Sequence, residues 1–279
     1  MIEKHLDIPT GDGDMNSFVV YPEEEAPHPV VLFYMDAPGK REELHDMARR
    51  LASVGYYVVL PNLYYRRTRE FELKLRTPEG MKPMFELMDS LSNGMTVRDT
   101  HAMLKFVDAQ PEADGSRVGA VGYCMSGPFV FAAAAAFPER MRAIASIHGA
   151  RMVTDRDDSP HLMAPRIRCE TYVACAETDI WAPPKDVTAL QAALEAAGTP
   201  HRIEWYPGAH HGFVFPRREG IYHQASAERH WERLFSLYRR TIGPGAGQCH
   251  DITMFFACPP PRASSLRKNP RPSRPSVTR

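Results

Sequence analysis

Between Val118 and Pro138 the chain reads VGAVGYCMSGPFVFAAAAAFP and carries no charged side chain. A run of that length and polarity has to be buried, either in a bilayer or in a large core. Gly122, Gly127 and Pro128 stand in its middle, where they would break a membrane-spanning helix. The run therefore predicts a buried strand, a sharp turn and a buried helix, not a membrane span. Elements apolar on every side require a core with layers above and below them.

The rest of the chain alternates strand-like and helix-like runs. Pro29–Tyr34 (PVVLFY), Tyr56–Leu60 (YYVVL), Arg117–Val121, Arg142–Ile147 and Glu170–Ala174 read as buried parallel strands, with a further strand at Arg202–Tyr206. Leu44, Met47, Ala48, Leu51 and Ala52 mark one helical face, and Val187, Leu190, Leu194 and Ala197 a second. Ala227, Trp231, Leu234, Phe235 and Tyr238 mark a last one. Strand alternating with helix predicts an α/β fold whose mostly parallel sheet is covered by helices on both faces. A chain of 279 residues fits one such core, placed at 1–243.

Two segments depart from the alternation. Tyr64–Gly94 is long, mixed in charge and rich in aromatics and methionine, and reads as a lid or pocket wall passing over the sheet. From 244 to 279 the chain carries seven prolines, six basic residues and one acid, Asp251, and is expected to be a disordered tail. The body, 1–243, holds 28 basic and 33 acidic residues, a mildly acidic balance that offers no footprint for specific nucleic-acid binding. The tail's charge could supply weak, salt-sensitive attachment to an anionic surface, but the abrupt change of composition favours an extension without function. Cys249, His250 and Cys258 are too sparse a ligand set for zinc in such a segment, and no metal is expected. There is no internal repeat and no phosphate-cradling glycine loop, and no cofactor is expected. The N-terminus lacks an apolar core of signal-peptide length, and five scattered cysteines fit reduced thiols, so the expected location is the cytoplasm.

The break inside the uncharged run carries a thiol. In α/β-hydrolases a nucleophile sits on a strained strand-to-helix turn with small residues two before and two after it. Centred on Cys124, the stretch Gly122-Tyr123-Cys124-Met125-Ser126 places Gly and Ser at those positions; centred on Ser126 it would place Cys124 and Pro128 there, a poorer fit. A helix N-terminus favours the thiolate, the species that attacks. An isolated cysteine more often just packs, and Cys169 and Cys175, in or beside a core strand, are read that way. A nucleophile of this kind needs a base and an orienting acid, in the chain order nucleophile, acid, histidine. Asp179 follows the strand ETYVACA, and His211, in PGAHHGF, follows the next strand, so both stand at strand carboxyl ends where active-site groups collect. Separately, Asp179 could cap a turn before Pro183 and Pro184, and His210 could replace its neighbour; the three motifs together are far more specific than any one.

GYCMSG, the AETD stretch and GAHHGF resemble the motifs of the dienelactone hydrolase family of α/β-hydrolases, over about residues 15–240. The resemblance implies an α/β-hydrolase fold, with Cys124 as nucleophile, His211 as general base and Asp179 as the residue that orients it. It maps the oxyanion hole to the backbone N–H groups of Met125 and Ala37. It also exposes two departures. Where the family's best-known members carry a glutamate that influences the resting thiol, this chain has Asp36, which is shorter or simply caps the loop before Lys40. Where members acting on dienelactone carry an arginine four residues after the histidine, it has Phe215, with Arg217 and Arg218 nearby.

The expected function is hydrolysis of a small-molecule carboxylic ester or lactone through a Cys–His–Asp triad and an acyl-enzyme. The alternative is a catalytically silent or redox-sensing protein on the same fold, for which no resolving cysteine adjoins Cys124.

Overall fold

The computed structural model describes residues 1–243 and Ala246. The tail beyond Gly243, with Cys249, His250 and Cys258, otherwise lies outside the described residues. The chain order is β1 (Ile2–Thr10), β2 (Gly13–Tyr21), β3 (His28–Tyr34), α1 (Glu42–Ala52), β4 (Tyr57–Pro61), α2 (Pro78–Asp89), α3 (Asn93–Asp108) and β5 (Ala113–Tyr123), then α4 (Gly127–Ala136), β6 (Met141–Ile147), α5 (Pro160–Met163), β7 (Glu170–Thr178), α6 (Pro184–Ala196), β8 (His201–His210) and α7 (Gln224–Thr241).

The eight strands form one sheet in the order β1-β2-β4-β3-β5-β6-β7-β8. From β4 to β8 neighbours run parallel; β1 and β2 form an antiparallel hairpin joined to β4. Every residue of β3 and β4 is buried, the signature of strands covered on both faces. The covering is visible on β5, where residues three apart face opposite ways. Gly119 lies against Tyr238 of α7 and Gly122 against Val130 of α4. Arg50 of α1 pairs with Glu228 of α7 at 2.5 Å, holding those helices together on one face.

The uncharged run resolves into the strand, turn and helix expected of it. Among the described residues no helix is long and apolar enough to cross a membrane. The expected six parallel strands are all present, and β5, β7 and β8 are longer than their apolar cores. β8 runs past Tyr206 through Pro207, Gly208 and Ala209 to His210. Pro207 is tolerated there because β8 is the sheet's edge, where a missing N–H breaks no interior ladder. Tyr64–Gly94 contains α2, capped by the Thr77 side chain accepting from the Gly80 N–H.

Candidate active site

β5 ends at Tyr123, whose hydroxyl meets His230 Nε2 of α7 at 3.2 Å and anchors the strand end in the core. Cys124 then adopts φ +55°, a left-handed conformation rare for a side chain with a Cβ. A short 3₁₀ turn over Cys124–Ser126 leads into α4. The glycines are forced by proximity: a Cβ on Gly122 would lie 2.2 Å from the Ser126 carbonyl oxygen, and one on Gly127 2.6 Å from Gly149 Cα. The Ser126 hydroxyl, turned inward, donates to the Met35 carbonyl. It serves the turn and does not present a second nucleophile.

Asp179 and His211 are brought side by side by sheet register. Thr178 of β7 pairs with His210 of β8, so the next residue of each strand emerges at the same edge, and the His211 N–H donates to the Thr178 carbonyl at 3.3 Å. His211 Nδ1 lies 2.7 Å from Asp179 Oδ2, and its Nε2 lies 3.1 Å from Cys124 Sγ. The second carboxylate oxygen accepts from the Trp181 N–H at 2.9 Å. Burial works against a charged imidazole here, but the Cys124 sulfur and the Asp179 carboxylate outweigh it and push its pKa up to about 9. Three side chains from three loops thus form one hydrogen-bonded line along which a proton can move away from sulfur. Cys169 and Cys175 differ: burial pushes both thiols up to about 12.

Ala37 and Met125 line the same cavity as Cys124 and His211. The Tyr64 hydroxyl ties them together, donating to the Ala37 carbonyl at 2.7 Å and touching Met125 Sδ at 3.3 Å. Asp36, expected beside substrate, is instead sealed in the core at 0% exposure, 2.5 Å from Arg41. It does not line the cavity. The reason is local: Arg41 also reaches Glu43, at 2.7 Å, so the carboxylate is drawn toward α1 and away from the thiol. Phe215 is buried between the guanidiniums of Arg41 and Arg218, each 5.3 Å from its ring centre. Of the two nearby arginines only Arg218 lines the cavity; the Arg217 backbone N–H is held by Glu43. His210 is exposed and does not line the cavity, but borders an adjoining recess that shares His211, Arg76 and Arg218 with it.

The cavity has a volume of about 400 Å³, within the range of small-molecule sites. α2 forms one wall with Met81, Met84, Phe85 and Met88, confirming the 64–94 excursion as a pocket wall. Arg76 and Arg218 flank His211 and have no carboxylate partner among the described residues. No group of three or more His, Cys, Asp or Glu side chains among those residues could hold a metal ion.

Two neighbours of the site carry no motif that the sequence reading used. Tyr64 is one. The other is His148, at φ +39° and fully buried, whose ring packs edge-to-face on His211 at 4.8 Å with neither nitrogen hydrogen-bonded. Burial holds it well below the usual histidine range and therefore neutral.

Comparison with known proteins agrees with this architecture. The model of the Dienelactone hydrolase family matches residues 15–242. A Synechocystis sp. protein provisionally named as a carboxymethylenebutenolidase is 26% identical over 238 residues, covering 84% of this chain and 95% of its own length. A crystal structure from Klebsiella pneumoniae, provisionally described as a dienelactone hydrolase, superposes with TM-score 0.77 at 24% identity, covering 86% of this chain and 98% of that one. A dienelactone hydrolase-like promiscuous phosphotriesterase from metagenomic libraries gives TM-score 0.72 at 21% identity, with 87% and 99% covered.

Proposed function

The chain belongs to the dienelactone hydrolase family, and on that premise we propose that it hydrolyses carboxylic esters or lactones with Cys124 as nucleophile, His211 as acid and base, and Asp179 orienting the imidazole. The observation that carries this reading is the pair of contacts on one ring, 3.1 Å to sulfur and 2.7 Å to carboxylate. With its pKa raised to about 9 by Cys124 and Asp179, His211 holds a proton over the neutral range.

In the first half-reaction the sulfur attacks the carbonyl carbon, and the carbonyl oxygen takes the negative charge beside the Met125 and Ala37 backbone N–H groups. As the C–O bond breaks, His211 Nε2 gives its proton to the departing oxygen and a thioester stands on Cys124. In the second, neutral His211 takes a proton from water, the hydroxide adds to the thioester carbon, and the C–S bond breaks. The acid leaves, the sulfur of Cys124 is freed and His211 is again protonated. Asp179 keeps Nδ1 protonated throughout, so that Nε2 is the nitrogen that exchanges protons.

The test is hydrolysis of p-nitrophenyl acetate by the full chain and by Cys124→Ala. Loss of at least about a thousandfold in kcat/KM is expected, with a single iodoacetamide adduct, at Cys124, abolishing wild-type activity. Full activity in Cys124→Ala would end this reading.

A further inference from the structure

An amphipathic helix of a globular protein normally turns its apolar stripe onto the core. In α2 the stripe Met81, Met84, Phe85 and Met88, spaced i, i+3, i+4 and i+7, lines the cavity that contains Cys124 Sγ. The opposite face carries Glu79, Lys82, Glu86 and Asp89 and is exposed. Across from the stripe stand Phe129, at the start of α4, and Trp181, whose ring lies 6.1 Å from that of Phe85. Trp181 belongs to the loop whose N–H holds Asp179, so the apolar wall and the reactive line share one segment. Of the four arginines lining the cavity, Arg151 pairs with Asp89 and Arg156 with Asp158, each at 2.9 Å, while Arg76 and Arg218, beside His211, have no carboxylate partner among the described residues. Water against such a wall is displaced favourably by hydrocarbon, and thioethers adapt to many shapes.

We propose that the preferred substrates are esters in which one arm of the ester bond is a bulky apolar group, a medium-length alkyl chain or an aromatic ring, seated against the α2 stripe. This specificity rests on the hydrolase reading above, and α2 is the element that sets it.

The experiment uses the full chain with two ester series. In one, p-nitrophenyl esters lengthen from acetate through butanoate and hexanoate to octanoate; in the other, acetate esters carry alcohols of the same lengths. If each added methylene is buried, kcat/KM rises about three- to fourfold per methylene in at least one series. In Met81→Gln/Met88→Gln, close in volume and helix propensity, the octanoate-to-acetate ratio of kcat/KM falls at least tenfold; Met88→Gln alone supplies the comparison if the double variant does not fold. In parallel, binding of the same esters to Cys124→Ala, followed by intrinsic tryptophan fluorescence, tightens with chain length.

Cys124-dependent hydrolysis that is flat or falling with length in both series overturns the proposal and leaves the hydrolase reading standing. No Cys124-dependent hydrolysis of any ester overturns that reading instead. The apolar site is then judged by Cys124→Ala alone: length-dependent binding upholds it, and binding that ignores length rejects it.

Discussion

Cys124 occupies a backbone conformation that few side chains tolerate, and His148 and Arg151, on the loop packed against the turn, share it with φ of +39° and +57°. Strain gathered at one site persists because surrounding contacts over-determine it; here they include the Ala150 N–H donating to the Cys124 carbonyl at 2.9 Å. A left-handed residue with a Cβ costs roughly 1–2 kcal/mol, of which a glycine's looser unfolded chain cancels about 0.4–1 kcal/mol. Cys124→Gly should therefore be more stable than Cys124→Ala by about 0.5–1 kcal/mol in urea denaturation; equal stabilities would show the turn to be unstrained. A second expectation concerns protons. His211 is raised from 6.5 to about 9 by Cys124 and Asp179 against the opposing effect of burial. Its interactions then stabilise the fold fully below about pH 6.5 and fade as pH rises through about 9, and acylation, which needs the imidazolium, declines over the same upper limb. In Asp179→Asn one source of that rise is gone, so the alkaline limb of kcat/KM should move below 9, with the rate down by roughly two to four orders of magnitude. An unmoved limb would mean that Asp179 does not govern the ring.

At the scale of elements, the strength of a tether depends on burial. Arg66, just after β4, holds Asp99 of α3 through two bonds of 2.6 and 2.9 Å, and that carboxylate is 1% exposed. Arg66→Ala leaves it with the Tyr65 hydroxyl, and a buried charge deprived of its partner costs about 3–5 kcal/mol. Arg98→Ala, removing an exposed arginine 3.3 Å from Asp12, should cost under about 1 kcal/mol. Urea denaturation of the two variants separates these values; similar costs would contradict the argument. The same residues explain what was hidden in the sequence. The buried stripe of α3 includes Thr96, Asp99 and Thr100, so its period is not written in apolar letters. Those positions are tolerated because Thr100 meets the Tyr34 hydroxyl at 2.7 Å and Asp99 meets Arg66. β1 is concealed differently, whereas β2, buried without a break over Ser17–Tyr21, carries the same apolar signal as β3. In β1 Ile8 alone is buried, while Glu3, His5 and Asp7 face outward, so an edge strand half covered by protein carries only half of the apolar signal. β3, β4 and β6 were legible because burial on both faces demands an unbroken apolar run.

For the whole molecule, the sheet turns distant residues into neighbours. Cys124, Asp179 and His211 could be singled out because each follows a strand, and parallel strands deliver their carboxyl ends to one edge. The contacts of Tyr64 and His148 depend on how loops fold over that edge, and those of Asp36 on its pairing with Arg41, none of which periodicity encodes. The central claim is that the line from carboxylate through imidazole to sulfur makes Cys124 the atom that bonds to substrate. Rapid acid quench of the full chain with p-nitrophenyl acetate, followed by peptide mass mapping, tests this most directly. The account predicts an acetyl group on Cys124 within the first turnover and none on Cys124→Ala. Turnover with no such adduct, or with the acetyl group on another residue, would contradict it.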